Sequence, residues 1–246
     1  MRFLLALTFL LSAQLPPQAA RVQEYLDQHR SAWQKQWQAL DVSPRMAEAI
    51  VYPEVLRYTV IRDIIEHTLN YGAYVSLGTK AVDFSVGRFQ IKPSFAEKLE
   101  KAWMESGLYK QYDLRFDTGD DRRARKARIL RLQKEKWQVR YVGIFLRLLY
   151  WSYGSKDAQG RWVQSGLETL PIEEQLRLAA TAYNCGCAWP MAGHGDLDAL
   201  RKHVKDKTFH FELGSGKYKL GSNEPAPHYC YADLAWEWYR QIVKQK

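Results

Sequence analysis

The sequence predicts a mainly α, single-domain protein. Three observations predict it. Apolar residues recur at spacings of three, four and seven along most of the chain, the period of a helix with one buried face. No stretch shows the alternation expected of a half-buried strand. And 246 residues, 46% of them apolar, suffice for one well-buried core or at most two small ones, with no internal repeat and no linker between them.

The elements follow in order. Arg21 to Leu40 is expected to be a helix, with Val22, Tyr25, Leu26, Trp33 and Trp37 on one side. Ser43-Pro44 is a helix start, because serine can cap and proline suits the first helical position. The apolar helix from Met46 to about Tyr58 is expected to break or kink at Pro53. Ile61 to Leu69 continues helical and stops at Asn70-Tyr71-Gly72, leaving residues 73–88 as a loop. Lys92-Pro93-Ser94 opens a helix that runs through Trp103. After a turn at Asp117 to Asp121, one long basic helix is expected to about residue 150. Gly154 to Gly166 reads as a polar loop and Pro171 to Tyr183 as a helix. Residues 207–228 read as a loop or short hairpin, and Tyr231 to Val243 as the last helix.

Charge and the first residues narrow the setting. The chain carries 36 Lys and Arg against 27 Asp and Glu, a net +9, which suits nucleic acid, an acidic membrane surface or an acidic wall polymer. Arg2, the apolar run Phe3 to Leu11 and the small residues after it have the layout of a secretory signal peptide. The run is shorter than the ~20 apolar residues that span a bilayer. A cut after Ala13 makes residues 1–13 the signal peptide, with Ala20 as the alternative. Export sets nucleic acid aside and favours the cell envelope. No later stretch is apolar enough for a membrane span, since Val139 to Tyr153 contains Arg140 and Arg147.

Three segments carry chemistry. In the first, the helix that opens at Pro44 reaches Glu54 through Ala49, Ile50, Val51 and Tyr52. An apolar surround disfavours the charged carboxylate and raises its pKa, as a general acid near neutral pH requires. In the second, Gly87-Arg88-Phe89-Gln90-Ile91-Lys92-Pro93, Gly87 permits a tight turn or a close approach. Gln90 there offers an amide suited to sugar hydroxyl and acetamido groups. In the third, the small-residue helix end Ala182-Tyr183-Asn184-Cys185-Gly186 presents an aromatic face and an amide.

In this order the three segments resemble the soluble-type (SLT) lytic transglycosylases, whose fold is lysozyme-like. Gly87, Gln90, Ile91 and Pro93 match that family's Gly-Leu-Met-Gln-Ile-x-Pro turn, and Ala182-Tyr183-Asn184-Cys185-Gly186 matches its Ala-Tyr-Asn-x-Gly helix end. The matching core spans about residues 43–190. The N-terminal helix, the central basic helix and the C-terminal helix are additions to it. Two features depart from the family. Val55 follows Glu54 where serine is usual, and the segment from Glu54 to Gly87 is long, which makes Glu66 a rival for the catalytic position.

The resemblance implies cleavage of the MurNAc–GlcNAc bond of peptidoglycan glycan strands, without a cofactor. One glutamate donates a proton to the glycosidic oxygen, then takes the proton of the sugar's C6 hydroxyl, giving a 1,6-anhydro product. It implies substrate contacts at Gly87, Phe89, Gln90, Tyr183 and Asn184, and an exported, periplasmic or envelope-associated protein. Asp83 is either a loop carboxylate or a water holder that would make the enzyme a muramidase-type hydrolase. A non-catalytic peptidoglycan-binding or envelope-assembly protein is the alternative outside catalysis.

The remaining features are secondary. His29, His67, His194, His203, His210 and His228 form no metal spacing, and no metal is expected. A disulfide from Cys230 is expected to Cys187, because Cys185 holds the tight position after Asn184. The run from Arg122 to Arg128 reads as a solvated face or a contact for stem-peptide carboxylates. The nine tryptophans suit a core better than a sugar platform. The sequence points to no protein partner.

Overall fold

A computed structural model describes residues 19–58, 67–156, 162–186, 197–198, 200–201, 210–212 and 228–244. The chain is mainly helical, as expected. Its helices are α1 (Ala19–Gln38), α2 (Pro44–Tyr58), α3 (His67–Leu77), α4 (Pro93–Glu105), the short α5 (Leu108–Gln111), α6 (Arg122–Leu132), α7 (Glu135–Ser152), α8 (Ile172–Asn184) and α9 (Tyr231–Lys244). Among the described residues two antiparallel pairs accompany them: β1 (Gly154–Lys156) with β2 (Trp162–Ser165), and β3 (His210–Glu212) with β4 (His228–Cys230). The first pair replaces the expected polar loop, and the second agrees with the expected short hairpin. The signal-peptide residues, Glu66 and Cys187 lie outside the described residues. No described helix is long and apolar enough to cross a membrane.

Helix α2 is the axis of the core. Every residue from Met46 to Leu56 is buried, so the helix is enclosed on all sides, against α1, α7, α8 and α9. That enclosure explains why α2 runs through Pro53 unbroken. Proline removes one backbone bond, but burial of the flanking turns outweighs the loss. The Tyr231 hydroxyl also donates to the Ile50 carbonyl at 2.7 Å, next to the Ala49 carbonyl whose helical donor Pro53 lacks. At the start of α2 the Ser43 hydroxyl accepts from the Met46 N–H, the expected cap.

The expected stripe of α1 is real: Val22, Leu26, Trp33 and Trp37 are buried. Trp37 donates from Nε1 to the Val139 carbonyl at 2.9 Å and fixes α1 on α7. On the other side Tyr52 and Trp238 stack in parallel, with centroids 4.2 Å apart, and dock α9 on α2.

Two boundaries differ from expectation. Helix α3 passes through Gly72 and ends at Leu77, because Tyr74 is wholly buried and its hydroxyl bonds Glu97. Arg125 then donates to the Val75 and Ser76 carbonyls, the last acceptors of that helix. The long basic helix is in fact two, split at Gln133-Lys134. The break lets the Gln138 amide, buried at the start of α7, donate to the Leu132 carbonyl at 2.7 Å.

The basic run is only partly a solvated face. Arg128 is buried and bonds Glu100 and Glu97, while Arg131 joins Glu100 and Tyr141. These arginines hold α4, α6 and α7 together.

Candidate functional site

Three buried glutamates distinguish themselves by their partners. Glu48 accepts from Arg30 at 2.9 and 2.8 Å and from the Trp238 indole at 3.1 Å. Glu100 is held by Arg128, Arg131 and Tyr141. Both are neutralised and satisfied, as buried carboxylates in a structural role must be. Glu54 is not. It is 5% exposed, and among the described residues one amide reaches it and its Oε2 has no hydrogen-bond partner.

The one partner is Asn184, whose Nδ2 donates to Glu54 Oε1 at 3.3 Å. Asn184 ends α8, where the chain turns through Cys185 and Gly186. Burial pushes the Glu54 carboxyl up to about 7, against smaller lowering effects of the Arg57 charge and the Asn184 bond. Glu54 is therefore an acid that can hold its proton near neutral pH.

Glu54 opens on a cleft of about 520 Å³. Pro53, Glu54 and Arg57 of α2 form one part of the lining, Asp83, Ser85, Gln90 and Lys92 of the loop between α3 and α4 another. Ser94, Phe95 and Lys98 come from one face of α4, and Tyr183 to Gly186 and Tyr231 from α8 and α9. The structure thus brings together four residues expected at the site: Glu54, Gln90, Tyr183 and Asn184. Asp83 joins them.

The turn carrying Gln90 is closed by a bridge between Val86 and Ile91. Gly87 stands at φ +67°, and a Cβ there would lie 1.8 Å from Gln138 Nε2. So Gly87 serves both backbone conformation and close approach, and the neighbour it admits is a side chain of the protein, not a ligand. Gln138 in turn accepts from the Phe89 N–H at 3.2 Å. Gln90 also has positive φ, at 51°, and its amide donates to the Gly87 carbonyl at 2.8 Å. Its side chain faces the cleft while bracing its own turn.

Phe89 is corrected by the structure. It is fully buried, edge-on to Trp33 at 5.1 Å, and is absent from the cleft lining, because the turn points it inward. Its backbone is what matters, since the Phe89 carbonyl accepts from the Tyr183 hydroxyl at 2.9 Å. Gly87 likewise supports the turn rather than lining the cleft. Tyr183 is nearly buried, set edge-on against Phe95 and Phe145. Asp83 lies in the cleft wall with both oxygens engaged, accepting from the Ser94 N–H at 3.1 Å and the Ser94 hydroxyl at 2.8 Å. It therefore secures the start of α4.

Several lining residues escape a reading of the sequence. Arg57 lies three positions after Glu54 on the same helix, a spacing that could have marked it. Lys98 follows Ser94 by four in the same way. Tyr231 is distant in sequence and nothing local announces it. Trp33, Trp37, Trp103 and Trp238 are core residues, not sugar platforms. Cys230 is a half-buried thiol whose pKa burial raises, and the pairing with Cys187 falls outside the described residues. Among the described residues no group of three His, Cys, Asp or Glu side chains is placed to hold a metal ion. No protein-family model, no curated protein and no solved structure matches the chain.

Proposed function

We propose that the protein is a lytic transglycosylase of lysozyme-like fold that cuts the MurNAc–GlcNAc bond of peptidoglycan after export to the cell envelope. The observation that carries this reading is the isolation of Glu54: a buried carboxyl on the wall of an open cleft, with a pKa near 7 and, among the described residues, no ion pair. A carboxyl kept protonated by its surroundings is a general acid in waiting.

The arrangement suits one carboxyl doing two jobs. The Asn184 amide occupies Oε1 as acceptor, so the acidic proton resides on Oε2. That proton passes to the glycosidic oxygen as the C1–O bond breaks and the ring takes oxocarbenium character. The bonding pair leaves with the departing sugar. The carboxylate so formed accepts the C6 hydroxyl proton, and O6 closes on C1. Glu54 is thereby returned to its carboxyl form, and the product is a 1,6-anhydro sugar. Arg57 and Asn184 stabilise the transient carboxylate. Gln90 and Tyr183 set the cleft wall against which the sugar is oriented.

The engagement of Asp83 favours this over hydrolysis. A muramidase that inverts or retains needs a second carboxylate to activate water or attack carbon. Both oxygens of Asp83 are already committed to Ser94.

The test is digestion of purified sacculi by the protein and by Glu54→Gln, with product masses measured. Anhydro-muropeptides from the parent and none from the variant are expected. Reducing-end products would make the protein a hydrolase, and no release by either would make it a binding protein. Equal release by both would move catalysis away from Glu54, with Glu66 next to be examined.

A further inference from the structure

We propose that Arg57, Lys92 and Lys98 form a carboxylate-binding subsite in the cleft, which selects glycan strands bearing acidic substituents over neutral sugar polymers. The proposal rests on the reading of the cleft as a peptidoglycan site and adds to it a basis for choosing the strand.

The three cations come from separate places: Arg57 from α2, Lys92 from the residue that precedes α4, and Lys98 from that helix. All three line the cleft that holds Glu54. Among the described residues none of them forms an ion pair, whereas Arg30, Arg125, Arg128, Arg131, Arg177 and Arg201 all do. Lys92 immediately precedes the first turn of α4, and both it and Lys98 are exposed at the cleft. The acids in the lining offset only part of this charge. Asp83 brings one carboxylate, held by two hydrogen bonds from Ser94, and burial opposes the ionisation of Glu54, so the three cations are in excess.

Three like charges lining one cavity give it a positive potential that draws an anion in. A guanidinium offers a planar fork to a carboxylate, while two exposed ammonium groups on flexible stems reach an anion whose position varies. Peptidoglycan supplies carboxylates in two ways. The stem peptide carries them when it is present, and the lactyl group of muramic acid carries one when the peptide has been removed. A polymer of N-acetylglucosamine carries neither.

The experiment measures binding to the Glu54→Gln protein, so that strands are not cut. Three ligands of matched length are titrated at low salt: peptide-bearing glycan strands, strands stripped of peptide by an amidase, and neutral N-acetylglucosamine oligomers. At least one acidic strand is expected to bind about tenfold more tightly than the neutral oligomer, with the gap closing as salt is raised. Lys92→Ala with Lys98→Ala, added together, is expected to remove most of that gap, and the Lys→Arg pair to keep it. Preference for peptide-bearing strands alone assigns the subsite to the stem peptide. Equal tightness of stripped strands assigns it to the lactyl group. Equal affinity for all three ligands, no binding of any, or a gap untouched by the alanine pair overturns the proposal. Because no bond is cut, this outcome is independent of whether Glu54 releases anhydro products.

Discussion

The side-chain amide of Asn184 reaches Glu54 across 3.3 Å and joins the end of α8 to the central helix, over a separation of 130 residues. Among the described residues it is the only hydrogen bond to this enclosed carboxyl, and its removal has a definite sign. The bond stabilises the carboxylate, so Asn184→Ala should raise the Glu54 pKa further and shift the alkaline limb of the pH–rate profile upward. The rate at the optimum should fall, since the carboxyl loses its orienting partner. Measurement of kcat/KM against pH for both proteins checks this.

The parent profile has its own expectation. The acid must be protonated to act, so kcat/KM on glycan strands should decline as pH rises through about 7. A limb placed near the ordinary glutamate value would contradict the role given to Glu54.

Stability should follow the same titration. The folded pKa of about 7 lies above the ordinary 4.5, so the folded state binds the proton more tightly than the unfolded state. The stability linked to Glu54 is fully present below 4.5 and is lost as pH rises to 7. The loss amounts to about 3 kcal/mol at most. Glu54→Gln should therefore be more stable than the parent at pH 8, with the difference vanishing at pH 4. Urea denaturation at the two pH values reads it.

Gly87→Ala should destabilise by about 3 kcal/mol, the sum of an unfavourable positive φ and a collision with Gln138. Most of the collision part should disappear in a Gln138→Ala background, and the part due to φ should remain. Thermal melts of the two single variants and the double variant separate the contributions.

Tyr183→Phe leaves the Phe89 carbonyl buried without its donor and should cost about 1–2 kcal/mol. Activity should fall with it, because the same bond anchors the Gln90 turn to α8. Chemical denaturation beside kcat/KM tests both.

Much of this was legible from local pattern. The apolar approach to Glu54, the glycine turn at Gly87 and the amide at Asn184 announce themselves within a few residues, because each is a short-range requirement of backbone or burial. The helices α1, α2, α4, α8 and α9 carry periodic stripes or capping signals for the same reason. What escaped was decided by distant partners. Nothing near Gln133 breaks a helix, and the split there follows from the Gln138 amide turning back on Leu132. Phe89 has the aromatic character of a sugar contact, but Trp33 claims it for the core. Arg128 stands in a run of charge that looks solvated, yet Glu100 draws it inside.

The docking of α9 on α2 bears on when the protein acquires its acid during synthesis. Tyr231 lines the cleft with Glu54 and is supplied by the last helix described, which the stack of Trp238 on Tyr52 docks onto α2. Until that helix has packed, the burial that raises the Glu54 pKa is incomplete. A chain in which α9 has not packed should therefore hold the Glu54 proton less tightly than the completed fold does.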